Sequence, residues 1–200
     1  MLLVIDVGNT NTVLGLMDGT DVRHTFRIST VQRSTDELGV LMTQLLAHRG
    51  LGAEDVTGAI LSSVVPSLVY TVEKACRRYL SVSMLIVGRD KLKTGMNIRT
   101  DNPREVGADR IVNAVAAKER WGSPVMVVDF GTATTVDCVD AGGSYIGGTI
   151  APGFRISEEA LFSKTAKLPR VELKRPPSAI GTNTVHAMQS GLFFGYVGLV

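Results

Sequence analysis

Two similar runs of residues and one helical stretch carry the groups able to do chemistry. The first run, Leu2–Gly15, reads LLVIDVGNTNTVLG. Leu2 to Ile5 predict a buried strand that ends at Asp6, Gly8-Asn9-Thr10 makes a tight turn, and Thr12-Val13-Leu14 alternates back as a second strand. A hairpin tip bearing a carboxylate, a glycine, an amide and two hydroxyls suits a phosphate. Glycine lets backbone N–H groups approach the anion, and hydroxyls donate to its oxygens. Asp6 cannot bind phosphate directly, since like charges repel, and would instead hold a hydrated cation. The same residues also fit a plain surface hairpin in which Asn and Gly serve the turn.

The second run, Val125–Asp137, reads VMVVDFGTATTVD and repeats the first at a shift of 123 residues. Asp6 matches Asp129, Gly8 matches Gly131, Thr12 matches Thr135 and Val13 matches Val136, each after an apolar strand. An internal repeat of this kind points to two domains of related fold. Two acidic hairpins facing each other across a cleft would hold a nucleotide's phosphates and their metal between them.

Between the runs, Asn102-Pro103 predicts a helix start, with a cap, a proline at the first position and Glu105 placed for a capping box. The helix is expected to run to about Trp121, with Glu105, Asp109 and Asn113 at i, i+4 and i+8 on one face. Like charges at that spacing destabilise a helix unless a cation, an arginine such as Arg110 or a raised pKa offsets them. Asp109, within the small and apolar GADRIVNAVAA, is suited to take a proton from a hydroxyl as general base. An ordinary Asp–Arg surface pair accounts for the same residues.

These groups need a scaffold, and the rest of the chain reads as one. Asp18-Gly19 turns into a third strand, His24–Ile28. Ser34-Thr35-Asp36-Glu37 has the capping-box pattern, followed by Leu38, Leu41, Leu45 and Leu46 on one helical face and Gly50 at the close. Ala59–Val65 predicts a strand stopped by Pro66; Leu68, Val69, Val72 and Cys76 mark a second helix with Arg77 and Arg78 on its wet side; Ser83–Val87 is a further buried strand. Helices alternating with strands after an antiparallel meander predict a mixed sheet covered by helices. Lys91–Thr100 reads as an irregular connector. Gly142-Gly143 leads into Ser144–Ile150, a third strand for the second domain, followed by a helix over Ser157–Lys164, a loop over Leu173–Ser178 and a last helix from Thr182 to Val200. The expected division is 1–114 and 115–200, with the second domain short of its last strands.

Composition narrows the class. The chain has 200 residues, 44% hydrophobic and 20% charged, as in ordinary globular proteins. A net charge of +2 gives no basic stripe for nucleic acid. No apolar run approaches the roughly 18 residues that cross a bilayer, and no leader precedes the first strand, so a cytoplasmic protein with no membrane partner is expected. Cys76 and Cys138 form no ligand spacing and are expected to be buried free thiols. His24, His48 and His186 are scattered, which argues against a catalytic zinc. Neither a P-loop nor a Rossmann glycine pattern occurs.

The paired Asp-x-Gly-Thr/Asn-x-x-Thr hairpins resemble those of the actin-like and sugar-kinase ATPase superfamily, whose α/β chains contain two ribonuclease-H-like domains of mixed sheets flanked by helices. Within it, DVGNTNTVLG, NPREVGADR and DFGTATTVD, with GGTIAPG (Gly147–Gly153) and GTNT (Gly181–Thr184), resemble the type III pantothenate kinases over nearly the whole chain. The resemblance implies phosphorylation of pantothenate by ATP, the first step towards coenzyme A, by a homodimer. It implies that Asp6, Val7, Gly8, Asn9, Thr10, Asn11, Thr12 and Val13 cradle ATP, with Asp6 holding Mg²⁺ through water and Thr132 reaching the phosphates from the other hairpin. Asp129 matches the family's ligand for a monovalent cation, K⁺ or NH₄⁺; a second magnesium-shell role stays open. Gly107, Ala108, Asp109 and Arg110 match the substrate motif, with Asp109 as catalytic base and Arg110 on the pantothenate carboxylate. Thr184 matches a substrate-binding position, against which helix N-capping competes, and Gly147-Gly148 with Pro152-Gly153 resemble the adenosine side. Thr100 stands where the family often has tyrosine. Alternatives are a non-catalytic ATP-binding accessory protein of the same fold, and a sugar or acetate kinase, which explains GADR poorly.

Overall fold

The computed structural model describes residues 1–89 and 92–200, in two compact units: Met1–Asn97 with Asp101–Ala116, and Ile98–Thr100 with Ala117–Val200. Lys91, where the expected connector begins, lies outside the described residues.

In the first unit β1 (Leu2–Val7), β2 (Asn11–Asp18) and β3 (Asp21–Ser29) form an antiparallel meander. β4 (Gly58–Ser63) joins β1 in parallel and β5 (Met84–Ile86) joins β4 in parallel, giving the mixed order β3-β2-β1-β4-β5. Parallel neighbours require crossovers, and each carries a helix: α1 (Thr35–Ala47) between β3 and β4, and α2 (Pro66–Tyr79) between β4 and β5. α1 begins with the expected capping box: Ser34 Oγ accepts from Glu37 N–H at 3.2 Å, and the Glu37 carboxylate accepts from Ser34 N–H at 2.7 Å. Alternation along β1 sends Leu3, Ile5 and Val7 into the core, where they meet Leu38, Met42 and Leu46 of α1 and Val69, Val72 and Cys76 of α2. Each such side chain contributes about 1.5–3 kcal/mol by leaving water. α1 and α2 approach closely because Gly39 has no Cβ; one there would lie 2.1 Å from the Tyr79 ring. Burial pushes the Cys76 thiol up to about 12, so it stays protonated. Cys138, by contrast, is only half-buried: along β8 it lies on the opposite face from the buried Asp137 and Val139.

The second unit holds a four-stranded sheet ordered β6-β9-β8-β7, from β6 (Asn97–Ile98), β7 (Val125–Phe130), β8 (Ala133–Val139) and β9 (Ser144–Pro152). Its β7–β8–β9 meander repeats β1–β2–β3. β6 corrects the reading of residues 92–100 as irregular: two residues pair with the sheet, and Arg99 N–H donates to the Tyr145 carbonyl at 2.8 Å. α4 (Phe154–Lys164) and α5 (Thr184–Leu199) complete it.

The division falls inside α3 (Ala108–Trp121). This helix is shorter than its sequence suggests. Pro103–Glu105 form a separate 3₁₀ turn, and the β-branched Val106 is extended at φ −69°, ψ 122°. Asn102 closes the turn from both ends, accepting from Arg104 N–H at 3.3 Å and donating to the Glu105 carboxylate at 2.6 Å. Glu105 therefore does not share a helical face with Asp109, and no i, i+4 repulsion exists to be offset.

Candidate active site

The first tip is the four-residue link Gly8–Asn11 between the paired Val7 and Thr12. Gly8 N–H donates to the Asn11 carbonyl at 3.0 Å, and the Thr10 carbonyl accepts from Thr30 N–H at 2.9 Å. The Gly8 amide is thus engaged inside the turn, which leaves Asn9 and Thr10 as the exposed groups at its apex. Thr12 lies behind them, 6% exposed, with its hydroxyl 2.9 Å from that of Thr30. The Val7 side chain is in the core at 1% exposure, so only its backbone faces the tip. Asp6 is exposed at the end of β1.

Asp6 also borders a cavity of about 370 Å³ on the sheet face opposite the core, with Val13, Ile60, Ser62, Val87 and Val112. Ser62 was not singled out from the sequence. It pairs with Asp6 in register and is 6% exposed, and its hydroxyl has no hydrogen-bond partner among the described residues. The signal available was a serine pair closing an apolar strand, SSVVP, beside the strand that carries Asp6.

α3 contributes Asp109 from its first turn, half-buried, with Oδ1 accepting from Arg110 N–H at 2.8 Å. The carboxylate folds over Gly107, where a Cβ would lie 2.5 Å from Oδ1. The glycine of GADR therefore makes room for this rotamer, and any side chain there would displace it. Ala108 opens the helix and Arg110 is half-buried beside Asp109.

The second tip differs in length. Phe130 pairs with Thr134, which leaves three residues, Gly131–Ala133, against four in the first. Thr12 therefore corresponds to Thr134 and Val13 to Thr135, one residue earlier than identity matching places them. Burial agrees: Thr134 is fully buried, as Thr12 nearly is, and Thr135 is not. Gly131 N–H donates to the Ala133 carbonyl at 3.0 Å, and the Thr132 carbonyl accepts from Gly153 N–H at 3.0 Å. Asp129 and Thr132 are exposed. Behind the tip, the fully buried Asp137 accepts from the Tyr145 hydroxyl at 2.6 Å and the Thr135 hydroxyl at 3.3 Å.

Thr184 is the exposed first residue of α5; its neighbour Asn183 is the cap, accepting from His186 N–H at 2.9 Å. Capping therefore does not explain Thr184. Thr182, Asn183, Thr184, Pro152, Lys164 and Tyr196 line part of a broad groove of about 1030 Å³ between α4 and α5.

Among the described residues no three His, Cys, Asp or Glu side chains converge to hold a metal. One exposed carboxylate at a phosphate-sized tip fits Mg²⁺, which keeps several waters and takes its other ligands from a nucleotide. A fully protein-ligated ion does not fit there.

Comparison with known proteins gives this geometry its family. The family model described as type III pantothenate kinase matches residues 2–200. The type III pantothenate kinase of Geobacillus kaustophilus is 54% identical over 100% of this chain and 78% of its own length, and that of Myxococcus xanthus is 56% identical over the same shares. A solved structure from Campylobacter jejuni, described as a Baf family transcriptional activator, aligns with a TM-score of 0.58 at 18% identity, covering 98% of this chain and 76% of that one, a likeness of fold alone. The chain belongs to the type III pantothenate kinase family.

Proposed function

We infer that this chain catalyses ATP-dependent phosphorylation of the primary hydroxyl of pantothenate, giving 4′-phosphopantothenate and ADP, the first step of coenzyme A synthesis. The observation that carries the reading is Asp109. Its half-buried carboxylate is laid over Gly107 at the head of α3, within the GADR run, in a chain 54–56% identical to kinases of that name. An ATP-binding accessory protein without transfer chemistry would not need that carboxylate, and the relatives favour the kinase.

Phosphoryl transfer asks a protein for positioning, charge neutralisation and a base. The pantothenate oxygen attacks the γ-phosphorus, the bond from that phosphorus to the β–γ bridging oxygen breaks, and Asp109 takes the hydroxyl proton. Asn9 and Thr10 of the first tip donate to phosphate oxygens, with Gly8, Asn11 and Thr12 holding its shape and Asp6 orienting the water shell of Mg²⁺. When bound, that ion would neutralise charge developing on the phosphates. Thr132 contacts the phosphates from the second tip, and Asp129 holds K⁺ or NH₄⁺. Arg110 orients the substrate carboxylate, a task suited to a planar guanidinium, and Thr184 contributes to substrate binding. The active form is a cytoplasmic homodimer whose partner chain completes the pantothenate pocket. No described helix is long and apolar enough to cross a membrane.

The test measures ADP release with ATP, Mg²⁺ and pantothenate, first in K⁺ and then in Na⁺. Turnover is expected to depend on pantothenate and to collapse in Na⁺. Asp109→Asn is expected to bind ATP normally while turnover falls roughly 100-fold or more, the scale for a lost general base. Full turnover in that variant would remove Asp109 from the chemistry.

A further inference from the structure

Three aromatic rings, from the second hairpin, the head of α4 and the body of α5, stack in sequence. Phe130, the residue between Asp129 and Gly131, lies 5.9 Å from Phe154 (centroid to centroid, planes at 24°), and Phe154 lies 3.8 Å from Tyr196 at 30°. Phe130 is 57% exposed, so the Phe154 ring covers only one side of it. Tyr196 is buried at 9%. Its hydroxyl donates to the Pro152 carbonyl, and since a phenol has a single proton, Ser157 must donate to the phenol oxygen at 2.9 Å. One side chain of α5 thus fixes both ends of the Pro152–Ser157 turn.

That turn in turn holds the tip. Gly153 N–H donates to the Thr132 carbonyl, and a Cβ on Gly153 would lie 2.3 Å from the Thr132 carbonyl oxygen and 2.4 Å from that of Gly131. The backbone of the tip is therefore pressed directly against the turn, while Phe130 is gripped from the side by Phe154. The Thr134 hydroxyl, in the place matching Thr12, has no hydrogen-bond partner among the described residues.

We propose that Tyr196 is a positioning residue for phosphoryl transfer: through Phe154 and the Pro152–Gly153 turn it sets where Thr132 and Asp129 meet the phosphates and their monovalent cation. This rests on reading the second tip as a nucleotide contact. A tyrosine that merely fills the core would affect stability alone, whereas a positioning residue affects nucleotide and cation kinetics and spares the other substrate.

The experiment compares Tyr196→Phe, which deletes only the hydroxyl, and Phe154→Leu, which deletes the stack, with Thr132→Ala and with Tyr145→Phe as a control that also loses one buried hydroxyl. KM for ATP, KM for pantothenate, the K⁺ concentration for half-activation and Tm are measured on each. Tyr196→Phe and Phe154→Leu are expected to raise KM for ATP and the K⁺ requirement roughly 3- to 10-fold, the scale of one lost hydrogen bond. KM for pantothenate should stay within about 2-fold, and Phe154→Tyr should restore ATP kinetics. Tyr145→Phe should lower Tm and leave KM for ATP alone. If Thr132→Ala raises KM for ATP while Tyr196→Phe lowers only Tm, the positioning role is overturned. If Thr132→Ala has no effect on ATP kinetics, the reading of the tip fails and the inference falls with it.

Discussion

The two hairpins descend from one pattern and are secured in different ways. The first tip is locked by its own sheet: Leu3, Ile5 and Val7 anchor β1 in an apolar core, Thr12 bonds Thr30 just past the end of β3, and Thr30 N–H holds the Thr10 carbonyl. The second is held from outside by Gly153 and the Phe154–Tyr196 stack, while the polar cluster around Asp137 lies deeper along β8. A duplicated motif can keep its acidic residue and glycine while the responsibility for holding them moves from strand to turn. Rigidity in the first tip is therefore a property of one sheet, and in the second a property of three segments far apart in sequence.

The carboxylates give the largest expected contrast. On the proposed roles, Asp6→Asn should cost turnover on the order of 100-fold or more at any monovalent salt, because it would remove the group assigned to orient the metal shell. Asp129→Asn should instead act through the monovalent cation, losing about 10-fold in K⁺ and little further in Na⁺. Identical salt profiles for the two variants would mean that the tips share one role, and the comparison would break.

Glycines test how each tip is held. At Gly153 a Cβ meets main-chain carbonyls at 2.3 and 2.4 Å, whereas at Gly8 it meets one, Asn11, at 3.1 Å. Gly153→Ala should therefore destabilise by about 1–3 kcal/mol in denaturant unfolding and raise KM for ATP. Gly8→Ala should cost less, since a shift of a few tenths of an ångström suffices. The reverse ranking would show that the second tip yields more easily than its packing indicates.

Much of this scaffold was legible in the residues themselves. The apolar run Leu2–Ile5 marks β1 but not its faces, since of these four only Leu3 and Ile5 are buried; the apolar periodicity of α1 and α2 does report a buried face, and the Ser34–Glu37 box and the Asp18-Gly19 turn are local chemistry that needs no tertiary context. The GADR run does place Asp109 in the first turn of a helix, but that helix starts at Ala108, because Asn102 closes a short turn that looks identical to a helix start until Val106 goes extended. Tip length was not legible: matching Thr12 to Thr135 by identity is natural, and only strand register reveals that one residue is missing. Nor was the aromatic stack, because Phe130, Phe154 and Tyr196 share no period and meet only once α4 and α5 are in place. Nothing in the sequence marks Asp137, the last residue of the repeated run, as the core residue that its burial and Tyr145 make it.

The buried threonines sharpen the comparison at the scale of about 1 kcal/mol. Thr12→Val strands the Thr30 hydroxyl and should destabilise by about 1 kcal/mol, whereas Thr134→Val replaces a hydroxyl unpaired among the described residues and should be neutral or stabilising. Urea unfolding of both variants reads the difference. A loss of stability in Thr134→Val equal to that in Thr12→Val would mean that the second tip is locked internally after all.

Helix starts extend the same contrast to its smallest measurable effect. α1 carries its own cap, while α4 has Gly153 at its N-cap, with no side-chain cap, and relies on contacts with the hairpin. Hydrogen bonds from the Ser34 backbone N–H and then from its side chain hold the Glu37 carboxyl below its ordinary value. A carboxyl lowered on folding adds stability that is fully present above its unfolded pKa and fades as pH falls through the lower folded one. Glu37→Gln keeps an acceptor at the same place but removes the titration. Wild type should therefore be slightly more stable than Glu37→Gln near neutrality, and the gap should close as pH drops below the usual glutamate range, as measured by Tm from pH 7 down to about pH 3. A gap that stays constant with pH would show that the cap acts through geometry alone, leaving α1 no more self-sufficient than α4.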